Sequence, residues 1–395
     1  MAYIGSSTIA APPLVSGADT LDPRARMAAR IPTILQPFLT WLTAKPAPDE
    51  AMKERPAFRF VVSALIWLLA GCALAVLSLL LHQYCVVFWV LLPIGLLATS
   101  CGLGIFQVVI FHHCSHGTVF RTREYNRRAG RLISALLLFK RFDDYQREHM
   151  LHHSPKKLLT DEDEFADFVL GMCGLEPGLS KRTLWRRVII CLCSPLFHLR
   201  FLMRRVRASL FTGDRAHDCL GRVVWSGIIV ISASTDTLLE LMIAWIFPLT
   251  ILLQVATVLR ILCEHRFPDV ELIGTRDRSF VCHATVGVFP GSLPPGLDAA
   301  SLSGFFLWTK WWCVLLTWHL FVRLFVLVGD APCHDFHHRR PASRRWTNYI
   351  HARQHDLEAS SPGFPMGYFE NWGLLTAIDY NLDSLARTLP GTIGR

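Results

Sequence analysis

The sequence predicts an all-α integral membrane protein, with about four transmembrane helices, further helices at the membrane interface and a histidine-rich cytoplasmic cap. Three observations predict it. Long uncharged apolar runs, such as 60–81 and 86–111, match the roughly 20 residues that a helix needs to cross a hydrocarbon core about 30 Å thick. The composition agrees, since 52% of the 395 residues are apolar and only 18% are charged, with a mean hydropathy of +0.34. The basic residues are also distributed as loops on one side of a membrane would have them. On length alone a soluble chain would suggest two or three domains, and this composition argues against that.

Along the chain, residues 1–57 read as a flexible N-terminal arm with a possible interfacial helix. The arm is basic at Arg24, Arg26 and Arg30, and its start lacks the charge, apolar core and cleavage site of a secretory leader. The first span is expected near Phe58–Leu81 and the second near Val86–Phe111, joined by the short turn His82–Cys85. The third is expected near Leu220–Ser234 and the fourth near Thr237–Leu262, with Asp236 at the turn between them. None of the forty Lys and Arg residues falls in those two turns. They occupy the arm, the long loop 112–222, the region from Arg260 onward, or the flanks of spans. Cytoplasmic loops carry the Lys/Arg excess, so both termini and the long loop are expected inside.

Gly304–Val328 is apolar enough to suggest a fifth span, but it contains Lys310, His319 and Arg323 together with Trp308, Trp311, Trp312 and Trp318. Charge is costly at mid-bilayer and Trp favours the interface. This segment is therefore expected to lie in the interface or to dip into it. The same is expected of Trp185–Phe211, where Arg186, Arg187, Arg200, Arg204, Arg205 and Arg207 interleave with apolar residues. Residues 58–340 make up the membrane domain, and 341–395 a cytoplasmic C-terminal segment. The twelve cysteines lie mostly in or near apolar segments without a C-x-x-C pair, the pattern of reduced packing residues.

The chemistry-bearing residues are histidines at the ends of these spans. The second span runs into His112-His113-Cys114-Ser115-His116-Gly117, where His112 and His116 share a face if the helix continues. His149, His152 and His153 follow at i, i+3 and i+4, and His334, His337 and His338 repeat that spacing. A lone H-x-x-x-H is weak evidence, and a single histidine on an apolar face is usually a packing residue. Two triplets and a pair, all on one side of the membrane by topology, are a different matter. Eight imidazoles exceed the roughly four ligands of one zinc site and suit two metals. An all-imidazole site with positions left for dioxygen favours iron, while ligand number alone also admits zinc.

The order H-x-x-x-H, H-x-x-H-H, H-x-x-H-H, with two spans before the first cluster and two between the second and third, resembles the membrane fatty acid desaturase/hydroxylase superfamily over roughly residues 58–340. His113 stands where that family's first box commonly has Asp. Asp161-Glu162-Asp163-Glu164 follows the second box where relatives often carry acidic residues, and is expected to be a solvated loop. The resemblance implies a further ligand between the last spans and the third box, for which His265 is the candidate, with Glu264 able to orient an imidazole through its second nitrogen. The metal ligands implied are thus His112, His116, His149, His152, His153, His265, His334, His337 and His338. His351 and His355 are expected to be surface or supporting residues. His82, His198, His217, His283 and His319 show no ligand spacing and are expected to serve packing or to meet solvent.

By the same resemblance the cofactor is a non-haem di-iron pair, with O2 as co-substrate and two electrons from an external donor. The activity implied is desaturation of an acyl chain or related lipophilic substrate. A hydroxylase or ketolase on the same scaffold is the alternative, and a zinc-binding membrane protein a third. The peptidase motif H-E-x-x-H is absent. A formal net charge of +9, concentrated on the cytoplasmic face, suits anionic lipid headgroups, an acidic ferredoxin- or cytochrome b5-like electron donor, or an acyl carrier protein. No nucleic-acid partner is expected.

Overall fold

The computed structural model describes residues 22–52, 54–267 and 270–391. The regular structure of the described residues is almost wholly helical. The principal ones are α1 (Pro23–Arg30), α2 (Gln36–Thr43), α3 (Phe58–Leu81), α4 (Val87–Ser115), α5 (Arg123–Leu136), α6 (Phe142–His152), α7 (Lys181–Cys193) and α8 (Pro195–Leu210). They continue with α9 (Arg215–Ser234), α10 (Leu238–Glu264), α11 (Leu302–Val326), α12 (His334–Arg339), α13 (Tyr349–Glu358) and α14 (Leu374–Arg387). Two three-residue strands, β1 (Gly287–Phe289) and β2 (Glu370–Trp372), pair in parallel with Val288 opposite Asn371.

Among the described residues four helices, α3, α4, α10 and α11, are long and apolar enough to cross a membrane. With its charge-poor helices and their outward apolar side chains, this is an all-α membrane protein. α3 and α4 form a hairpin whose backbones touch. A Cβ on Gly71 would stand 2.3 Å from the Thr99 nitrogen, and one on Gly102 would stand 2.5 Å from the Leu68 nitrogen. Small residues permit this close approach, which supplies the van der Waals contact that holds helices together where lipid gives no hydrophobic drive.

Two segments differ from the sequence expectation. Leu220–Ser234 lies in α9, which is helical but falls short of the apolarity of a candidate span, because Arg215, Asp218 and Arg222 occupy its first turns. Conversely, all but the last two residues of the segment expected at the interface, Gly304–Val328, lie in α11, which is long and apolar enough to cross, its most apolar 18 residues having a mean hydropathy of 1.2. Its aliphatic residues and phenylalanines outweigh Lys310 in that average. Arg323 is also buried, donating to the carbonyls of Trp41 at 2.9 Å and Gly329 at 2.9 Å.

The ends of the chain are more structured than the sequence suggests. Residues 1–21 of the expected flexible arm lie outside the described residues, whereas from Asp22 the arm folds. Arg24 is buried, donating from Nη1 to Gln36 Oε1 at 2.7 Å and from Nη2 to Thr40 Oγ1 at 2.8 Å. Met27, Leu39 and Leu42 pack against Trp311 and Leu315 of α11. At the other end, α14 lies against α10, and Asn381 Nδ2 donates to the carbonyls of Leu262 and Cys263, each at 3.0 Å. The C-terminal segment therefore satisfies the last turn of α10, whose carbonyls have no partner within the helix. All twelve cysteines are free.

Candidate metal centre

Each histidine cluster is delivered by a helix end. In α4 the helix widens into a π turn over Phe106–Phe111 before resuming at His112–Ser115. A π turn inserts one residue and re-aims the side chains beyond it, so the helix carries its apolar face through the bilayer and then presents His112 and His116 inward. Gly117 ends it with φ of +71°, in the left-handed region that favours glycine. α6 carries His149 and His152 with His153 at its C-cap, and α12 carries His334, His337 and His338. His265 caps α10 in extended conformation and bridges to Thr285.

These nine imidazoles converge in two groups, each with its candidate ligand atoms within 4.8 Å of one another: His112, His116, His149, His153 and His337 in one, and His152, His265, His334 and His338 in the other. In the first, Nε2 of His112 lies 2.6 Å from Nε2 of His337, His116 lies 2.8 Å from His149, and His337 lies 3.0 Å from His153. In the second, His334 Nε2 lies 3.0 Å from that of His338 and 3.2 Å from that of His265. The groups adjoin, with the His153 and His338 rings 4.4 Å apart.

Burial and the neighbouring imidazoles hold His149, His153, His334, His337 and His338 well below the usual histidine range, and burial with His152 does so for His265. Burial and His113 push His116 down to about 3. Neutral rings keep a lone pair for a ligand. An Nε2 that faces several others across about 3 Å cannot satisfy all of them by sharing one proton. A cation at the centre of each group satisfies every lone pair, so the donor sets fit bound metal.

The surrounding residues fix ring orientation. His152 Nδ1–H donates to Asp163 Oδ1 at 2.9 Å, leaving Nε2 for the centre. The acidic loop expected to be solvated is therefore split: Asp161 and Glu162 are exposed, but Asp163 is fully buried and also accepts from the Leu159 and Phe165 N–H groups at 2.8 and 3.0 Å. Burial opposes its ionisation, and His152 with these N–H groups outweighs that and holds the carboxyl below its usual range. His265 Nδ1–H points to the Ala284 carbonyl at 3.3 Å, so the orienting role expected of Glu264 belongs there to a backbone oxygen. Glu264 instead lies on the Nε2 side of His334.

His113, in the position where Asp is common, donates from Nε2 to Asp330 at 2.8 Å and stacks on Trp346 with centroids 4.2 Å apart. With Asp330 and His337 it forms a third group of potential ligand atoms. Tyr145 stacks on His149 at 5.2 Å. Asp335, inside the third cluster, accepts from Arg353 Nη2 at 2.7 Å; Arg353 Nη1 donates to Glu370 at 2.8 Å, and Glu370 in turn accepts from Lys45 at 2.6 Å. This chain, buried at Asp335 and Arg353 and half-buried at Glu370 and Lys45, ties α12 to α13, β2 and the N-terminal segment.

Asp330, Trp346, Tyr145, Asp335 and Arg353 escaped the sequence reading, because each meets its histidine only through the tertiary fold or through a partner of no special spacing. His351 and His355 belong to neither large group, and neither do His82, His198, His217 or His319. His198 bonds Gln254 and the Leu192 carbonyl, and His217 bonds the Ser209 carbonyl.

Compared with known proteins, residues 87–294 match the family model for fatty acid desaturases. No curated protein and no solved structure matches the chain.

Proposed function

The chain belongs to the fatty acid desaturase family, and from that premise we propose that it introduces a carbon–carbon double bond into an acyl chain or related lipophilic substrate, using O2 and two iron ions. One observation carries the reading: nine histidines from four separate stretches of chain, brought into two adjoining groups of five and four. The family makes the protein an oxidoreductase of the membrane, and the imidazole groups suit metal binding. Iron, substrate and reaction are the proposal.

No side chain is basic enough to take a proton from an unactivated C–H bond, so the electron chemistry must come from bound redox metal. The chain's own residues do the rest. His112, His116, His149, His153 and His337 hold one ion, and His152, His265, His334 and His338 the other. Asp163 and the Ala284 carbonyl set the ring nitrogens of His152 and His265 toward the centre. Phe165, whose ring lies 4.5 Å from His265, and the buried aromatic residues beside α4 keep water away.

The proposed topology rests on parity. Because the His152 and His265 rings lie 4.9 Å apart, the chain between them crosses the membrane an even number of times. α10 ends at the site, so α9, joined to it through Asp236, is the matching crossing despite its charged first turns. His265 and His334 are neighbours too, and among the described residues between them only α11 has span length. A single crossing there would strand His334 on the far side, and irregular backbone does not return through lipid. α11 therefore lies at the interface and dips in without crossing: Trp311 and Leu315 meet the arginine-bearing α1, and its last turns pack on α4 and α10. The spans are α3, α4, α9 and α10, with both termini and the site on the cytoplasmic side, where basic surface steers a ferredoxin- or cytochrome b5-like donor or an acyl carrier protein.

The test is mass spectrometry of lipids and small metabolites from cells expressing the protein, with H337A as control. New acyl species lacking two hydrogens, absent with H337A although the variant inserts normally, support the reading. Products that gain oxygen would establish a hydroxylase or ketolase instead, and zinc retained after iron supplementation would remove the redox reading.

A further inference from the structure

The two imidazole groups are unequal, with five members in one and four in the other. Beside the smaller group stands a carboxylate that the ring geometry leaves without an obvious task. Glu264, on the last turn of α10, is 1% exposed. Its Oε2 accepts from Arg260 Nη1 at 2.6 Å and lies 3.9 Å from Nε2 of His334, the nitrogen that faces the centre of the group. Its other oxygen, Oε1, is buried and has no hydrogen-bond partner among the described residues.

A buried carboxylate oxygen without a partner is costly, because its desolvation is not repaid. A plain helical ion pair does not explain it, since Arg260 serves Oε2 alone. Nor does support of His265, whose Nδ1 is taken by Ala284. The nearest group on the site side is Nε2 of His334, 3.9 Å from Oε2. Glu264 lies just outside the four-histidine group, so a cation bound there would have to draw the carboxylate inward by a small rotation. Carboxylate oxygen beside imidazole is a common donor set for open non-haem iron sites.

We propose that Glu264 is the oxygen ligand of the second metal, filling there the place that the fifth imidazole fills in the first. Arg260 then offsets the surplus negative charge at the end of a membrane helix and keeps the carboxylate aimed. The two metals sit in different fields: one sees imidazoles alone, and the other sees imidazoles and an anion. The inference rests on the two-metal reading above.

The test uses the full-length protein in detergent, loaded anaerobically with Fe(II), and in parallel with Co(II), whose visible bands report coordination. Metal per chain is measured after a chelator challenge. The wild type should retain two ions. E264Q and the double variant R260M/E264Q should retain the ion of the five-histidine group and hold the second about tenfold or more weakly, with the Co(II) bands of that site changed. R260M, which leaves the carboxylate but not its aiming partner, should weaken the second ion clearly less than E264Q does. The double variant removes both charges together, so it avoids an unpaired buried charge and should elute as the folded protein. Two ions held in E264Q with wild-type affinity and unchanged Co(II) bands would overturn the role of Glu264. So would R260M matching E264Q in metal loss, because that pattern belongs to a structural ion pair. A wild type that binds no metal would sink the two-metal reading itself, a distinguishable result.

Discussion

Replacing Asp163 by Asn tests whether the second metal group is held from behind. The exchange keeps shape but puts an NH2 where one carboxylate oxygen stood. Oδ1 accepts from His152 Nδ1 and the Phe165 N–H, while Oδ2 accepts from the Leu159 N–H. Whichever way the amide is turned, a donor group faces at least one buried donor. That leaves a buried N–H unpaired, at about 1–3 kcal/mol, and removes charge assistance from the remaining bonds, about 1 kcal/mol more. D163N should therefore destabilise the protein by about 2–4 kcal/mol. His152 also loses the partner that fixes its tautomer, so affinity for the second metal should fall about 10- to 100-fold, as is usual for partners of ligating histidines. Thermal unfolding in detergent reads the first effect, and metal retained under graded chelator reads the second. A D163N protein with wild-type melting temperature and wild-type retention of both ions would refute the assignment of Asp163 as the support of His152.

Two further outcomes are expected. Burial works against ionisation of Glu370, but Arg353 and Lys45 outweigh it and push the carboxyl down to about 2. Its folded value is depressed, so its stabilisation is complete above the ordinary glutamate value and is lost as pH falls through the folded one, a loss of very roughly 3 kcal/mol; E370Q should flatten this acid limb in melts taken between about pH 5 and pH 2, and an unchanged limb would remove Glu370 from the ion-paired chain behind the third cluster. In the α3–α4 hairpin, Gly102→Ala puts a methyl 2.5 Å from the Leu68 nitrogen and should cost about 1–3 kcal/mol, whereas Gly227→Ala, with nothing within 4 Å of the new carbon, should cost nothing; equal melting temperatures for the two variants would contradict the close packing.

Much of the site was legible because its ligands obey helical spacing. Three imidazoles at i, i+3 and i+4 must share a face wherever the segment is helical, and both triplets do. The hydrophobic runs likewise had to become helices, since lipid leaves the backbone no other partner than itself. His265 came from resemblance and not from spacing, and no local pattern marks it.

Other features depended on contacts between residues far apart in the chain. Asp163 looks like one of four solvated acids, and only the approach of His152 and two amides distinguishes it from Asp161 and Glu162. Asp330 and His113 are separated by two hundred residues of chain, and Trp346 closes on them from still further along. The arm around Arg24 reads as flexible because charge and proline suggest solvent, yet Gln36 and Thr40 receive its guanidinium and α11 covers Met27. Local sequence determines periodicity, and so which side chains share a face. Which faces meet, and which carboxylate is buried against which ring, is a property of the packed whole, because burial turns an ordinary ionisable group into a support or a ligand only where partners from other segments arrive.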